Sequence, residues 1–130
     1  MVRGSMAKTK LANTAPEAHL PLTPATFQIL MALVDGERHG YAIMTEVAER
    51  NEHAVKLGPG TLYGTLKRLL DTQVVEECGE RGEVTVGDDE RRRYYRLTSF
   101  GLAVARAEAR RLEAVVRAAR GKKLLGLEPA

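Results

Sequence analysis

The sequence predicts a mainly α-helical chain with one small β-hairpin, an α+β arrangement carrying a long helix at its C-terminal end. Three observations predict it. Apolar residues recur at helical spacing three times between Thr23 and Asp71. Two short β-prone runs, residues 74–78 and 94–97, flank a connection that holds Gly82, Gly87, Asp88 and Asp89. A heptad-like apolar seam then runs from Leu102 to Ala119.

In chain order, residues 1–5 (MVRGS) read as an expression scar with Met6 as the native start, and residues 1–22 as that scar followed by a flexible arm. Thr23 is an N-cap and Pro24 suits the first helical turn, where no N–H partner is needed. Phe27, Leu30, Met31 and Val34 fall at i, i+3, i+4 and i+7, and Asp35 with Gly36 ends that helix. His39 and Gly40 open a second helix, with Ile43, Met44, Val47 and Ala48 expected inward as far as Arg50 and Asn51. Tyr41 and Tyr63 are expected to stitch the second and third helices together, each with its hydroxyl at the rim.

Within the stretch KLGPGTLYGTLKRLL, residues 56–70, Leu57 and Gly58 break what precedes, and the third helix runs from Pro59, in its first turn, to about Asp71. Leu62, Leu66, Leu69 and Leu70 form its apolar stripe, while Gly60, Thr61, Gly64, Lys67 and Arg68 occupy the opposite side. A glycine inside a helix costs roughly 1 kcal/mol relative to alanine. Gly64 therefore suggests that something anionic comes close there; an ordinary amphipathic helix with a solvated basic end fits the same spacing.

Two short helices, a turn and a third helix with a polar outer face make a helix-turn-helix, whose recognition helix enters the DNA major groove. The hairpin that follows is a wing, so residues 23–97 read as a winged helix-turn-helix. Tyr95 and Leu97 alternate with Tyr94 and Arg96, so one pair can face inward. Arg91, Arg92 and Arg93 at the hairpin base suit a DNA backbone or minor groove, or else a loop that neutralises itself against Asp88, Asp89 and Glu90.

Thr98 caps a long helix, residues 98–121, whose Leu102, Ala105, Ala109, Leu112, Val116 and Ala119 are spaced alternately three and four apart. A single winged-helix core does not need so long a seam, which reads as a dimerisation helix; packing on the chain's own first helix is the alternative. Residues 122–130 form a frayed tail with Leu124, Leu125 and Leu127 available as anchors.

Net charge is +3, from 20 basic and 17 acidic residues, too small to mark a nucleic-acid binder by itself. Local concentration at Lys67, Arg68 and residues 91–93 carries that argument instead. A lone cysteine, Cys78, excludes an internal disulfide and suits a reducing cytoplasm. Its neighbours Glu76, Glu77 and Glu80 disfavour a thiolate, which argues against a redox sensor. No run approaches the ~18 apolar residues of a membrane span, so a soluble cytoplasmic protein without a membrane partner is expected. His19, His39 and His53 lack metal-site spacing with each other or with Cys78, and no serine–histidine–acid set or glycine-rich phosphate loop is present. Neither an enzyme nor a cofactor is expected.

HGY (39–41), PGTLYGTLKRL (59–69) and RRRYYRLTSFG (91–101), in this order, resemble the PadR family of winged-helix transcriptional regulators over roughly residues 27–120. The sequence departs from that pattern at Gly64, where the family commonly has proline or a larger residue. The resemblance implies a homodimeric repressor on an inverted repeat in double-stranded DNA. DNA contacts are expected from His39, Gly60, Thr61, Tyr63, Lys67, Arg68, Arg91, Arg92 and Arg93, and subunit contacts from the Leu102–Ala119 seam. Short members with a single C-terminal helix are similar to ones that bind flat aromatic compounds between subunits, so a small aromatic effector is implied. Without tryptophan the chain cannot build an indole-lined slot, which leaves Phe100 and the alanine-rich seam to border a cavity. The alternative is a winged-helix module for protein–protein interaction.

Overall fold

Helix α1 (Pro24–Val34) begins where the Thr23 hydroxyl accepts the Thr26 N–H at 3.1 Å, satisfying one of the donors that a helix start leaves open. The computed structural model describes residues 15–51, 57–80 and 93–126. The expected hairpin tip, Arg91, Arg92, His53, Leu127 and the first part of the arm lie outside the described residues.

The buried face of α1 is Ile29, Leu30, Ala32 and Leu33, rotated from the expected stripe. Val34 is 51% exposed and Phe27 and Met31 are half-buried. The helix is apolar at almost every position, so several stripes fit the spacing and tertiary packing decides among them. After α1 comes a two-residue strand, β1 (Arg38–His39), too short to leave a periodic signal. Helix α2 (Gly40–Asn51) buries Ile43 and Val47 as expected, whereas Ala48 is exposed because it lies past the last turn that meets the core. Glu46 accepts from Arg50 at 2.7 Å and lies 3.1 Å from Arg38, whose Nε also donates to the Ala32 carbonyl. Arg50 reaches the Gln28 carbonyl, so this polar cluster ties α2 to α1.

Helix α3 (Pro59–Asp71) buries Leu62, Leu66 and Leu69, with Leu70 half-buried. It ends in a left-handed residue, Gln73 (φ 64°), with Val74 N–H bonded to the Leu69 carbonyl and Gln73 N–H to that of Leu70. Strands β2 (Val75–Glu80) and β3 (Arg93–Leu97) then pair antiparallel, and β1 joins the other edge of β3, giving the order β1-β3-β2. The register places Val75 opposite Leu97 and Glu76 opposite Arg96, with a bulge between Glu77 and Gly79. Tyr95 is buried and Leu97 half-buried on the core side, as the alternation requires.

Helix α4 (Ser99–Gly121) is locked to the end of α3 by Thr98. The Thr98 hydroxyl accepts from Gly101 N–H at 2.8 Å and donates to the Gln73 carbonyl at 2.6 Å. A β-carbon at Gly101 would collide with the Val74 carbonyl, so only glycine lets α4 approach this closely. Val104, Ala105, Ala107 and Glu108 are buried; from Glu113 onward the helix stands almost wholly exposed.

The arm differs from expectation over its last eight residues. Pro16–His19 forms a 3-10 turn against α4, with the His19 ring edge-on to Phe100 at 5.2 Å, and Leu20 and Leu22 pack on the core. Glu108 is the polar anchor that holds this segment. Its carboxylate takes two hydrogen bonds from Arg111, at 2.7 and 2.9 Å, and a third from Leu22 N–H at 3.3 Å. Those Arg111 bonds hold the carboxyl below its usual value, against the opposing effect of burial.

Candidate nucleic-acid interface

The outer face of α3 is built by the inward commitment of its leucines. With Leu62, Leu66 and Leu69 buried and each contributing about 1.5–3 kcal/mol, the helix cannot roll. Gly60, Gly64, Lys67 and Asp71 then fall in one exposed line, at i, i+4, i+7 and i+11, with Thr61 and Arg68 along one flank. A β-carbon at Gly60 or Gly64 would meet no atom within 4 Å. The chain's own packing therefore gives no reason for either glycine, and Gly64 weakens the helix by about 1 kcal/mol. The result is a shallow notch over the first two turns, with a cation at its end.

The charges along this face are not equivalent. Lys67 has no ion-pair partner among the described residues, while Arg68 is steered across the helix by a bond to the Thr65 hydroxyl at 3.3 Å. Asp71 closes the line with negative charge, so the positive charge of this face is confined to Lys67 and, on its flank, Arg68. On the sheet, Arg93 is 3.1 Å from Glu77 and Arg96 is 2.7 Å from Glu76. Arg93 thus offers a partly neutralised guanidinium at the root of the hairpin.

Two other expected site residues sit beside the interface in scaffolding positions. His39 Nδ1 accepts the Ala42 N–H at 3.2 Å, capping α2, and its ring lies edge-on to Tyr94 at 5.4 Å. Tyr63 places its hydroxyl where a Gly40 β-carbon would stand, so the glycine of HGY and the tyrosine of PGTLYG form one close contact that sets the approach of α2 and α3. Tyr41 makes no matching stitch: it is 67% exposed. Tyr95 is buried behind the same corner, and burial, then the Glu77 charge, push its phenol pKa up, so it stays neutral.

Of the expected subunit contacts, Ala105 is buried within its own chain, Leu102, Leu112 and Ala119 are half-buried, and Ala109 and Val116 are exposed. Val115, which the seam left out, is also exposed and apolar. Glu108 was missed as an anchor, although its place one turn after Val104 and three residues before Arg111 is a readable signal. Among the described residues no group of three or more His, Cys, Asp or Glu could hold a metal ion. No helix among them is long and apolar enough to cross a membrane.

Three helices, a recognition-type third helix and a strand pair that returns to a third short strand define a winged helix-turn-helix protein. Over residues 29–107, more than half its length, the chain matches the PadR-like family of transcriptional regulators, and it belongs to that family. It is 39% identical over 90 residues to the transcriptional regulator Rv3488 of Mycobacterium tuberculosis, covering 68% of this chain and 76% of that one. Two other relatives are an uncharacterised 37.1 kDa protein of transposon TN4556 from Streptomyces fradiae, 39% identical over 85 residues and 65% of this chain, and protein X of Lysinibacillus sphaericus, 35% identical over 75 residues and 58% of this chain. The chain spans only 22% and 65% of their lengths.

Among solved structures, a PadR family regulator from Clostridium difficile superposes with a TM-score of 0.63 at 26% identity, over 78% of this chain and 97% of that one. A PadR family regulator from Eggerthella lenta gives 0.57 at 26% identity, over 96% and 93%. Bacillus subtilis PadR, solved in complex with operator DNA, shares the fold at 22% identity with a TM-score of 0.57, over 67% of this chain and 47% of that one.

Proposed function

We propose that this regulator acts in the cytoplasm as a homodimeric repressor, binding an inverted repeat in double-stranded DNA with the outer face of α3 in the major groove. The observation that carries this reading is the Gly60–Gly64–Lys67 line: among the described residues, two glycines without an internal packing role run up to a lysine without an ion-pair partner. A notch of that kind lets helix backbone approach a groove wall, with Lys67 on a phosphate and Arg68 able to read a guanine edge bidentately. Thr61, at the exposed helix start, adds a hydroxyl donor to phosphate. Arg93 adds to the interface by exchanging Glu77 for phosphate, and Arg91 and Arg92 extend the same basic run. His39 and Tyr63 act by holding α2 against α3.

Repression then follows from occupancy of the operator, and a small flat aromatic effector is its release signal. A cleft of ≈ 500 Å3 supports that part of the reading: Phe100, Leu70 and Val75 line it, where the end of α3 meets the start of α4. A ligand wedged there bears on the angle at which α3 is presented.

The test is titration of the purified protein with its own upstream DNA and with a scrambled duplex, at two salt concentrations. Preferential binding that falls steeply with salt supports the proposal, because phosphate contacts release counterions. Equal, weak binding to both duplexes contradicts sequence-specific repression and favours the protein-interaction module. For the effector, aromatic compounds should release the operator and raise the thermal midpoint.

A further inference from the structure

Thr98 joins the end of α3 to the first turn of α4 by a closed set of hydrogen bonds. Its hydroxyl donates to the Gln73 carbonyl at 2.6 Å and accepts from Gly101 N–H at 2.8 Å, while its own N–H donates to the Val74 carbonyl at 3.1 Å. Gln73 and Val74 are in turn bonded through their N–H groups to the Leu70 and Leu69 carbonyls of α3. Gly101 closes the joint from the other side, because a β-carbon there would strike the Val74 carbonyl. Resting on the homodimeric operator binding proposed above, we infer that Thr98, with Gly101, sets the separation of the two operator half-sites by fixing the angle between α4 and α3.

The space around the joint shows what holds that angle. Towards α3 and β2 lies the cleft of ≈ 500 Å3 bordered by Leu70, Gln73, Val75 and Phe100. Towards α1 and β3 lies a second, of ≈ 440 Å3, bordered by Leu33, Val34 and Leu102. Thr98 and Ser99 line both. Side-chain packing therefore leaves room on either side of the start of α4, and the hydrogen bonds of Thr98 hold it in place. Farther along, Val104 and Ala105 seat the helix in the core. One seat lets a rod pivot; the second, at Thr98, fixes its direction.

The lever driven by this joint is long. From Gln73 back to Gly60 is thirteen residues, about 20 Å at the helical rise per residue. A swing of about 10° at the joint carries the Gly60–Gly64 notch about 3.4 Å, one base-pair step of B-DNA. In a two-fold dimer both notches move, so the half-sites shift by about two steps relative to each other. Half-site spacing is thus the property most sensitive to Thr98. Base preference is not, because the face of α3 carries it.

The experiment selects duplexes from a random pool with the full-length wild type. Each protein is then titrated with the selected repeat and with versions whose spacer is shortened or lengthened by single base pairs. Thr98→Val keeps the shape of the side chain and removes its hydroxyl. Thr98 is half-buried and Ser99 exposed, so water can reach the Gly101 N–H and Gln73 carbonyl left behind. Thr98→Ser keeps both bonds and serves as the rescue, and Gly101→Ala pushes on the same joint from α4. The wild type and Thr98→Ser should prefer one spacer over its neighbours by about tenfold or more, the worth of one good base contact, and Thr98→Val by no more than about threefold. Gly101→Ala displaces α4 instead of loosening it, so its preferred spacer should change. A uniform drop in affinity with an unchanged spacer profile in Thr98→Val marks a merely structural cap and overturns the inference, leaving dimeric operator binding standing. Loss of spacer preference in Thr98→Ser as well overturns the role of the hydroxyl. Should Thr98→Val unfold at the assay temperature, Gly101→Ala decides, and an unshifted optimum overturns the inference. A wild type that selects no inverted repeat refutes the operator reading and this inference with it.

Discussion

Replacing Gly64 with alanine should move stability and DNA affinity in opposite directions. Gly64 lies in the middle of α3 on its exposed face, and a methyl group there meets no protein atom within 4 Å. The folded chain therefore gains the helix propensity of alanine, about 1 kcal/mol, without a clash. For a domain of this size that raises the thermal midpoint by about 3–5 °C. On DNA the same methyl stands in the notch between helix backbone and groove wall, and lifting α3 lengthens the contacts made by Lys67 and Arg68. If the contacts of one good base or phosphate partner are lost, binding weakens by about 1–3 kcal/mol, roughly fivefold to over a hundredfold. Because no charge changes, the slope of log K against log salt stays near that of the wild type, which separates this effect from lost phosphate contacts. The assay pairs thermal unfolding with operator titration at fixed salt. A Gly64→Ala variant that is stabilised and binds operator as tightly as the wild type would refute the notch as a DNA surface.

Lys67→Ala and Arg68→Ala should each weaken operator binding by about 1–3 kcal/mol; Lys67→Ala should also flatten the salt slope by about one phosphate's worth, and unchanged affinity in both would take α3 out of the interface. Leu112→Asp, on the seam of α4 where that helix leaves its domain, should sediment as a monomer; a dimeric variant would show that subunits associate elsewhere. Glu108 has a folded-state pKa held below 4.5 by Arg111, so its contribution to stability is complete above that value and disappears as pH falls through the lower folded one. Glu108→Gln should accordingly be less stable near neutral pH and lose less stability than the wild type on acidification below about 4.5, measured by denaturant unfolding; parallel curves would show that the Arg111 and Leu22 bonds do not matter.

Legibility in the sequence followed the strength of the local signal. Helix α3 was readable because its leucines leave one possible stripe and its glycines stand opposite them. Helix α1 was readable as a helix but not in its rotation, since PATFQILMALV is apolar nearly all round and only the packing of Ile29 and Leu33 chooses the inward face. The Thr98 cap and the hairpin strands carried clear marks, whereas β1 did not, because two residues hold no period and exist as a strand only through pairing with Tyr94 and Tyr95. Packing of residues 15–22 depends on a buried carboxylate 86 positions away from Leu22, a contact that local pattern does not encode. At the site, residue types were visible but their employment was not: Arg93 is engaged by Glu77, His39 caps a helix, and Tyr63 rests on Gly40, each through a neighbour distant in sequence.

If two copies present α3 to successive major grooves, methylation interference on the bound upstream DNA shows it in the pattern of blocked guanines. Guanine N7 faces the major groove, so a methyl there blocks a recognition helix without altering the minor groove. Two clusters of interfering guanines, related by a two-fold axis and about 34 Å, or ~10 base pairs, apart, are expected. Binding indifferent to N7 methylation, or a single cluster without a symmetric mate, would contradict that arrangement.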